Sequence, residues 1–175
     1  MIAPEQYPMV MIAVPLLAAF VINLAGLINR RLCYPILLLA LAISTAAAVA
    51  VLGQVAGQGV ISYRLGGWPP PIGIEYVVDH LNALVLVVIA AVAFLAAVFS
   101  KRSVEAELPG KIPYFYTLYI LAVVGLLGMT ITGDAFNLYV LMEITALTNY
   151  ALIAAGRKDR APMASFSYII IGTIG

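Results

Sequence analysis

Apolar residues run through this chain in long blocks, separated by short clusters of charge, proline and glycine. Five blocks, near residues 8–28, 34–56, 81–100, 113–132 and 135–155, match the ~20 residues that a helix needs to cross a bilayer. A sixth, 162–175, rises only about 21 Å as a helix, short of the ~30 Å hydrocarbon core, so the sequence is expected to end inside a helix as a fragment or split gene product. Pro15 falls inside the first block and predicts a bend there, with a freed carbonyl that needs a partner within the bundle. This first block is read as a retained span and not a signal peptide. Glu5 stands where a basic segment is expected, and the apolar run is too long.

Between the second and third blocks, residues 57–80 read differently. The β-prone runs Val60–Leu65 and Ile72–Val78 flank Gly66-Gly67-Trp68-Pro69-Pro70-Pro71. That pattern predicts a short outer β-hairpin with a proline-stiffened tip, its Tyr63, Trp68 and Tyr76 at headgroup level. The expected fold is therefore all-α and membrane-embedded: a polytopic helix bundle of five complete spans plus an incomplete sixth, forming one transmembrane domain over residues 1–175.

Composition agrees with this pattern. Hydrophobic residues make up 64% of the chain and charged ones 10%, against about 25% charged in soluble domains. The net charge of +1 gives no reason to expect a nucleic-acid partner. One cysteine, Cys33, excludes an intrachain disulfide and a cysteine-based metal or iron–sulfur site; it reads as a small apolar residue near a helix end. The charges also orient the chain. Arg30, Arg31, Lys101, Arg102, Lys111, Arg157, Lys158 and Arg160 all follow odd-numbered spans, whereas Arg64 alone follows an even one. This predicts a multi-pass protein of the inner (plasma) membrane with its N-terminus outside.

Candidate chemistry centres on Glu143, an acidic residue deep in the fifth block. An ionised carboxylate at a span's centre costs roughly 2.5–3.5 kcal/mol on insertion scales. Gly133-Asp134 reads as a turn with an N-cap. Glu143 lies nine residues on, about 13 Å down the helix axis and near the midplane. Phe136, Tyr139, Val140, Ala146, Leu147 and Tyr150 share its face, and Thr145, Thr148 and Asn149 form a polar row beside it. Two readings stand for the acid. One is a proton switch whose charge follows a movable cationic partner, with Tyr139, Tyr150, Thr145, Thr148 and Asn149 lining the path; the other is a structural, protonated glutamate in a bundle core. No Lys, Arg or His lies inside a complete span to act as that partner. Asp79 reads as the N-cap of the third helix, and His80, the sole histidine, as an interfacial residue. Tyr114, Tyr116 and Tyr119 read as interfacial aromatics at the start of the fourth span. No catalytic constellation, metal set, phosphate loop or cofactor-ligand motif is present in the sequence, so any redox chemistry would belong to other members of an assembly.

Thr132–Ala154, with Glu143 at its centre, resembles the fifth helix of the antiporter-like family of membrane proteins. That family takes in the D-type component and the first part of the A-type component of Mrp cation/proton antiporters, the pumping membrane subunits of respiratory complex I, and relatives in membrane-bound hydrogenases. Leu65–Glu75, Val78-Asp-His-Leu-Asn-Ala83 and the stretch from Pro162 through Ser167-Tyr168 to Gly172 support the resemblance, and the wording around Glu143 is most like the Mrp D type. It implies a larger fold of about fourteen helices, with inverted repeats and broken helices along a polar axis. It further implies that Glu143 pairs with a lysine on helix seven, beyond Gly175. The implied function is proton or cation/proton translocation within a hetero-oligomeric membrane complex of the NADH dehydrogenase or hydrogenase type, with lipid, protons and Na⁺ or K⁺ as partners. The alternative is a scaffold subunit, or a split fragment, that moves no ions.

Overall fold

The computed structural model describes residues 6–68 and 72–174. Glu5, the prolines at the expected hairpin tip (Pro69, Pro70 and Pro71) and Gly175 lie outside the described residues. The helices are α1 (Tyr7–Ile28), α2 (Cys33–Gln58), α3 (His80–Glu107), α4 (Ile112–Ile131), α5 (Ala135–Ala154) and α6 (Ala161–Ile174). Strands β1 (Ile61–Arg64) and β2 (Glu75–Val78) pair antiparallel in the second connection, with Tyr63 opposite Tyr76 and Arg64 opposite Glu75. Five of the helices are long and apolar enough to cross a membrane, and α6 is shorter at 14 residues. The fold is thus an all-α membrane bundle with a small hairpin.

Helices α1–α4 pack as a ring around one core: α1 against α2 and α4, α2 against α3, and α3 against α4. Ile22, Leu37, Leu41, Leu86, Ile120 and Leu127 are fully buried at its centre. Helix α5 packs on the outside of α4, and α6 on α5. Small residues set how closely the helices approach. Gly26 lies against Pro113 at the α1–α4 crossing, and Gly125 and Gly128 of α4 receive Thr145 and Leu141 of α5.

Proline 15 sits inside α1, where its ring nitrogen has no hydrogen to give the carbonyl of Met11 one turn back. Ser44 of α2, itself buried, donates from Oγ to that carbonyl at 3.2 Å. The bundle thereby satisfies the backbone group that the proline frees, as the pattern around Pro15 requires. Ser44→Ala would leave the carbonyl without its partner, and we expect a loss of about 1 kcal/mol, the usual net contribution of such a bond. Thermal unfolding of the purified chain in detergent measures it.

The hairpin lies at the end of the bundle where α1 begins. Tyr63 Oη donates to Met9 Sδ at 3.3 Å, and the Gly133 N–H in the α4–α5 turn donates to the Glu75 carbonyl at 2.8 Å. Tyr76 also bridges to Thr132. Its ring is consequently buried within the protein and does not lie in the headgroup layer, since β2 backs onto the end of α4. Burial raises the Tyr76 phenol above its ordinary pKa, and Tyr63 opposite adds to the rise. A raised pKa means that the folded state favours the neutral phenol. The stabilisation is complete below the ordinary tyrosine value of about 10 and is lost as pH climbs above it. Proteolytic resistance of the hairpin should hold through neutral pH and fall in this alkaline range, and Tyr76→Phe should flatten that fall.

Helix α3 continues past its apolar run to Glu107, through Lys101, Arg102 and Glu105. Its last two turns are charged, and they extend the bundle beyond the apolar slab. The opposite end from the hairpin gathers the α1–α2 turn, the end of α3, the start of α4 and the α5–α6 turn. Arg30 Nη1 donates to the Pro109 carbonyl there at 3.0 Å, tying two of those connections together. Of the nine basic residues, only Arg64 lies at the hairpin end.

Candidate functional site

Helix α5 starts at Asp134, whose carboxylate accepts from the N–H groups of Asn137 (2.8 Å) and Phe136 (3.4 Å). Asn137 Nδ2 donates to Thr132 Oγ1 at 2.9 Å, which fixes the turn before the helix. At the other hairpin-end connection, Asp79 caps α3 by accepting from the Asn82 N–H at 2.7 Å. His80 is exposed on the first turn of that helix.

From this start α5 presents two unlike faces. Asn137, Leu141, Thr145 and Thr148 are buried, and they form one stripe against α4. At 100° per residue, Glu143 projects roughly 150° away from the middle of that stripe. Its side chain is exposed, among the exposed Phe136, Tyr139, Val140 and Leu147. Among the described residues it has no hydrogen bond and no ion pair. The six helices therefore do not enclose the carboxylate: it stands on an apolar outer face, midway along a membrane-length helix.

The other polar residues of α5 divide between the two faces. Thr145 Oγ1 donates to the Leu141 carbonyl at 2.9 Å, and Thr148 Oγ1 reaches the carbonyls of Ile144 and Thr145 at 2.8 and 2.9 Å. Both hydroxyl protons are thus engaged with their own helix, and Thr148 points away from Glu143. Thr145, Asn149 and Tyr150 converge with Tyr168 and Gly172 on a cavity of about 310 Å³ between α4, α5 and α6. Tyr139 keeps to the open face with Glu143. The structure accordingly brings Thr145, Asn149 and Tyr150 together, while Glu143 and Tyr139 stand apart from them and line no part of that cavity.

Three contributors to this region, Ser165, Tyr168 and Gly172, carry no obvious chemical signature in the sequence. Tyr168 stacks edge-on to Tyr150 with ring centroids 5.6 Å apart, and Ser165 Oγ donates to the Tyr150 carbonyl at 2.8 Å. Gly172 admits the Tyr150 hydroxyl, because a Cβ there would collide with it. The pairing of small residues on α6 with large ones on α5 is the only sequence signal for this contact. Asn149 also borders a second, apolar cavity of about 430 Å³, whose walls include Val88, Val92, Tyr119 and Leu126. No group of acidic, histidine or cysteine side chains suited to a metal ion occurs among the described residues.

A ring of membrane-length helices with one carboxylate halfway along a flanking span defines a polytopic membrane protein. Comparison with known proteins gives its kinship. NADH-quinone oxidoreductase subunit N of Desulforudis audaxviator (strain MP104C) is 39% identical over 171 residues, covering 95% of this chain and 33% of the relative. A chain of the membrane-bound sulfane sulfur reductase, an archaeal respiratory membrane complex, superposes with a TM-score of 0.89 at 39% identity, over 97% of this chain and 34% of that one. A chain of the Mrp complex from Dietzia sp. DQ12-45-1b superposes with a TM-score of 0.84 at 29% identity, over 99% and 32%. Further relatives are named as D-type components of K(+)/H(+) and Na(+)/H(+) antiporters. No family model matches the chain. The chain belongs to the antiporter-like family of membrane subunits, and it spans between about a fifth and a third of the length of the relatives it matches.

Proposed function

We propose that this chain is part of a proton-translocating, cation/proton antiporter-like subunit within a multisubunit membrane complex, and that Glu143 is its proton-switching carboxylate. The observation that carries the reading is the carboxylate on the uncovered face of α5, nine residues beyond the capped start of a bilayer-length helix. Lipid is a poor neighbour for an ionised side chain, so a switching carboxylate here calls for further protein over this face with a cationic partner. The family's greater length supports that expectation, because relatives carry about twice as many further residues as match this chain.

Protonated, the acid can sit against apolar neighbours. Ionised, it needs the cation close by, and its charge state therefore follows the cation's distance. Tyr139, exposed on the same face, would orient the carboxyl or a water beside it. Thr145, Asn149 and Tyr150 offer polar atoms on the neighbouring cavity, through which a water file can reach the level of the acid. Segregation of eight cations to the end opposite the hairpin supports placing that end in the cytoplasm, with the N-terminus outside. Sealed vesicles holding the assembled complex test the function. With Glu143→Ala, cation-dependent dissipation of an imposed pH gradient should vanish while the complex still assembles. Exchange at the unaltered rate would remove Glu143 from the proton path.

A further inference from the structure

At the basic end, a cavity of about 470 Å³ opens between the α1–α2 turn, the last turns of α3 and the start of α4. Arg30, Arg31 and Lys101 border it, together with Tyr34, Glu105 and Tyr116. None of the three cations forms an ion pair among the described residues, although Glu105 shares the cavity. Arg30 spends one N–H on the Pro109 carbonyl, which holds the rim, and keeps the rest of its fork. Lys101 Nζ stands 5.0 Å from the centre of the Tyr34 ring, and the Tyr34 hydroxyl donates to the Val98 carbonyl at 3.3 Å. The ammonium is thereby held over the cavity mouth by an aromatic face. Tyr116 closes the inner wall, its hydroxyl buried without a protein partner.

We propose that this cavity binds the headgroup phosphate of an anionic phospholipid. Three unpaired cations against one carboxylate leave an excess of two positive charges on a pocket that lies where the apolar spans give way to charged turns. That is the level of lipid phosphates, and an interhelical basic pocket there suits an anionic headgroup. The Arg30 guanidinium, anchored by one N–H on Pro109, can pair its remaining N–H groups with phosphate oxygens, and the lysine adds a point charge. Pro35 and Ile112 complete the cavity's lining with apolar surface, which suits the start of the acyl chains. A free anion would gain nothing from that apolar surround.

The test is native mass spectrometry of the assembled complex in detergent, titrated with phosphatidylglycerol, phosphatidylcholine or inorganic phosphate. The unaltered protein should retain phosphatidylglycerol in preference to phosphatidylcholine, and excess inorganic phosphate should not displace it. Arg31→Gln and Lys101→Gln should each weaken that retention roughly fivefold, the effect of about 1 kcal/mol per cation at a membrane surface. Arg31→Lys, which keeps the charge, should lose much less, and Arg64→Gln at the opposite end should change nothing. Lys101 is exposed, so its variant reads out binding even if Arg31→Gln disturbs assembly. Equal retention by Lys101→Gln and the unaltered protein would overturn the proposal. So would equal retention of phosphatidylcholine, and displacement by inorganic phosphate would make this an anion site and not a lipid site.

Discussion

Replacing Gly125 with leucine should separate α5 from α4 and leave little folded protein in the membrane. A Cβ at position 125 collides with Thr145 Oγ1 and comes within 3.0 Å of the Leu141 carbonyl, which is backbone and cannot swing aside. Gly128, one turn on, is similarly filled by the Leu141 side chain. The two glycines form a slot into which α5 sets Leu141 and Thr145, and a small-residue seam of this kind is how apolar helices hold together when lipid competes equally for their surfaces. Gly125→Ala alone should cost about 1–3 kcal/mol, as for a methyl group forced into a packed interior, and Gly125→Leu should exceed that range. Gly53 of α2 is the control, for a Cβ there meets nothing within 4 Å, and Gly53→Leu should leave the melting temperature close to that of the unaltered protein. Thr145→Ala removes the colliding hydroxyl, so the double variant with Gly125→Ala should recover part of the loss. Simple additivity in that cycle would refute direct contact as the cause.

The same seam explains which parts of the molecule were legible in the sequence. Span number and position follow from run length alone, because twenty apolar residues have few other uses, and the helix starts at Asp79 and Asp134 follow from capping chemistry that is local. The end of α3 was less legible. Apolarity stops near residue 100, but Lys, Arg, Glu and Ala are good helix formers, and the helix continues to Glu107. The orientation of α5 was not legible at all. Its residues are apolar nearly all round, so no amphipathic stripe says which side meets the bundle. Gly125 and Gly128 on a different helix decide it, and they turn Thr148 inward and Glu143 outward. Tyr76 illustrates the same limit on local reading: an aromatic residue in a surface hairpin suits the headgroup layer until the Thr132 bridge folds it against α4.

That outward turn makes the Glu143 series the sharpest test of transport. Glu143→Gln keeps the shape and removes the titratable proton, so it should fail as completely as Glu143→Ala. The expected drop in cation-dependent proton flux is about a hundredfold or more, the lower bound for losing a positioned proton-transfer group. A glutamine is also easier to place in a membrane than an ionised acid, so assembly should be unchanged or improved, which separates lost transport from lost protein. Glu143→Asp retains the proton but draws the carboxyl back by one methylene, and should keep a measurable fraction of the flux. Tyr139→Phe, on the same face, should slow exchange modestly. Thr148→Ala is the discriminating control. Its hydroxyl is bonded to the carbonyls of Ile144 and Thr145 on the side of α5 turned to α4, so transport should persist near the unaltered rate. If Thr148→Ala stopped transport while Glu143→Gln left it intact, the proton would be travelling through the α4–α5 seam, and the uncovered face of α5 would have no part in it.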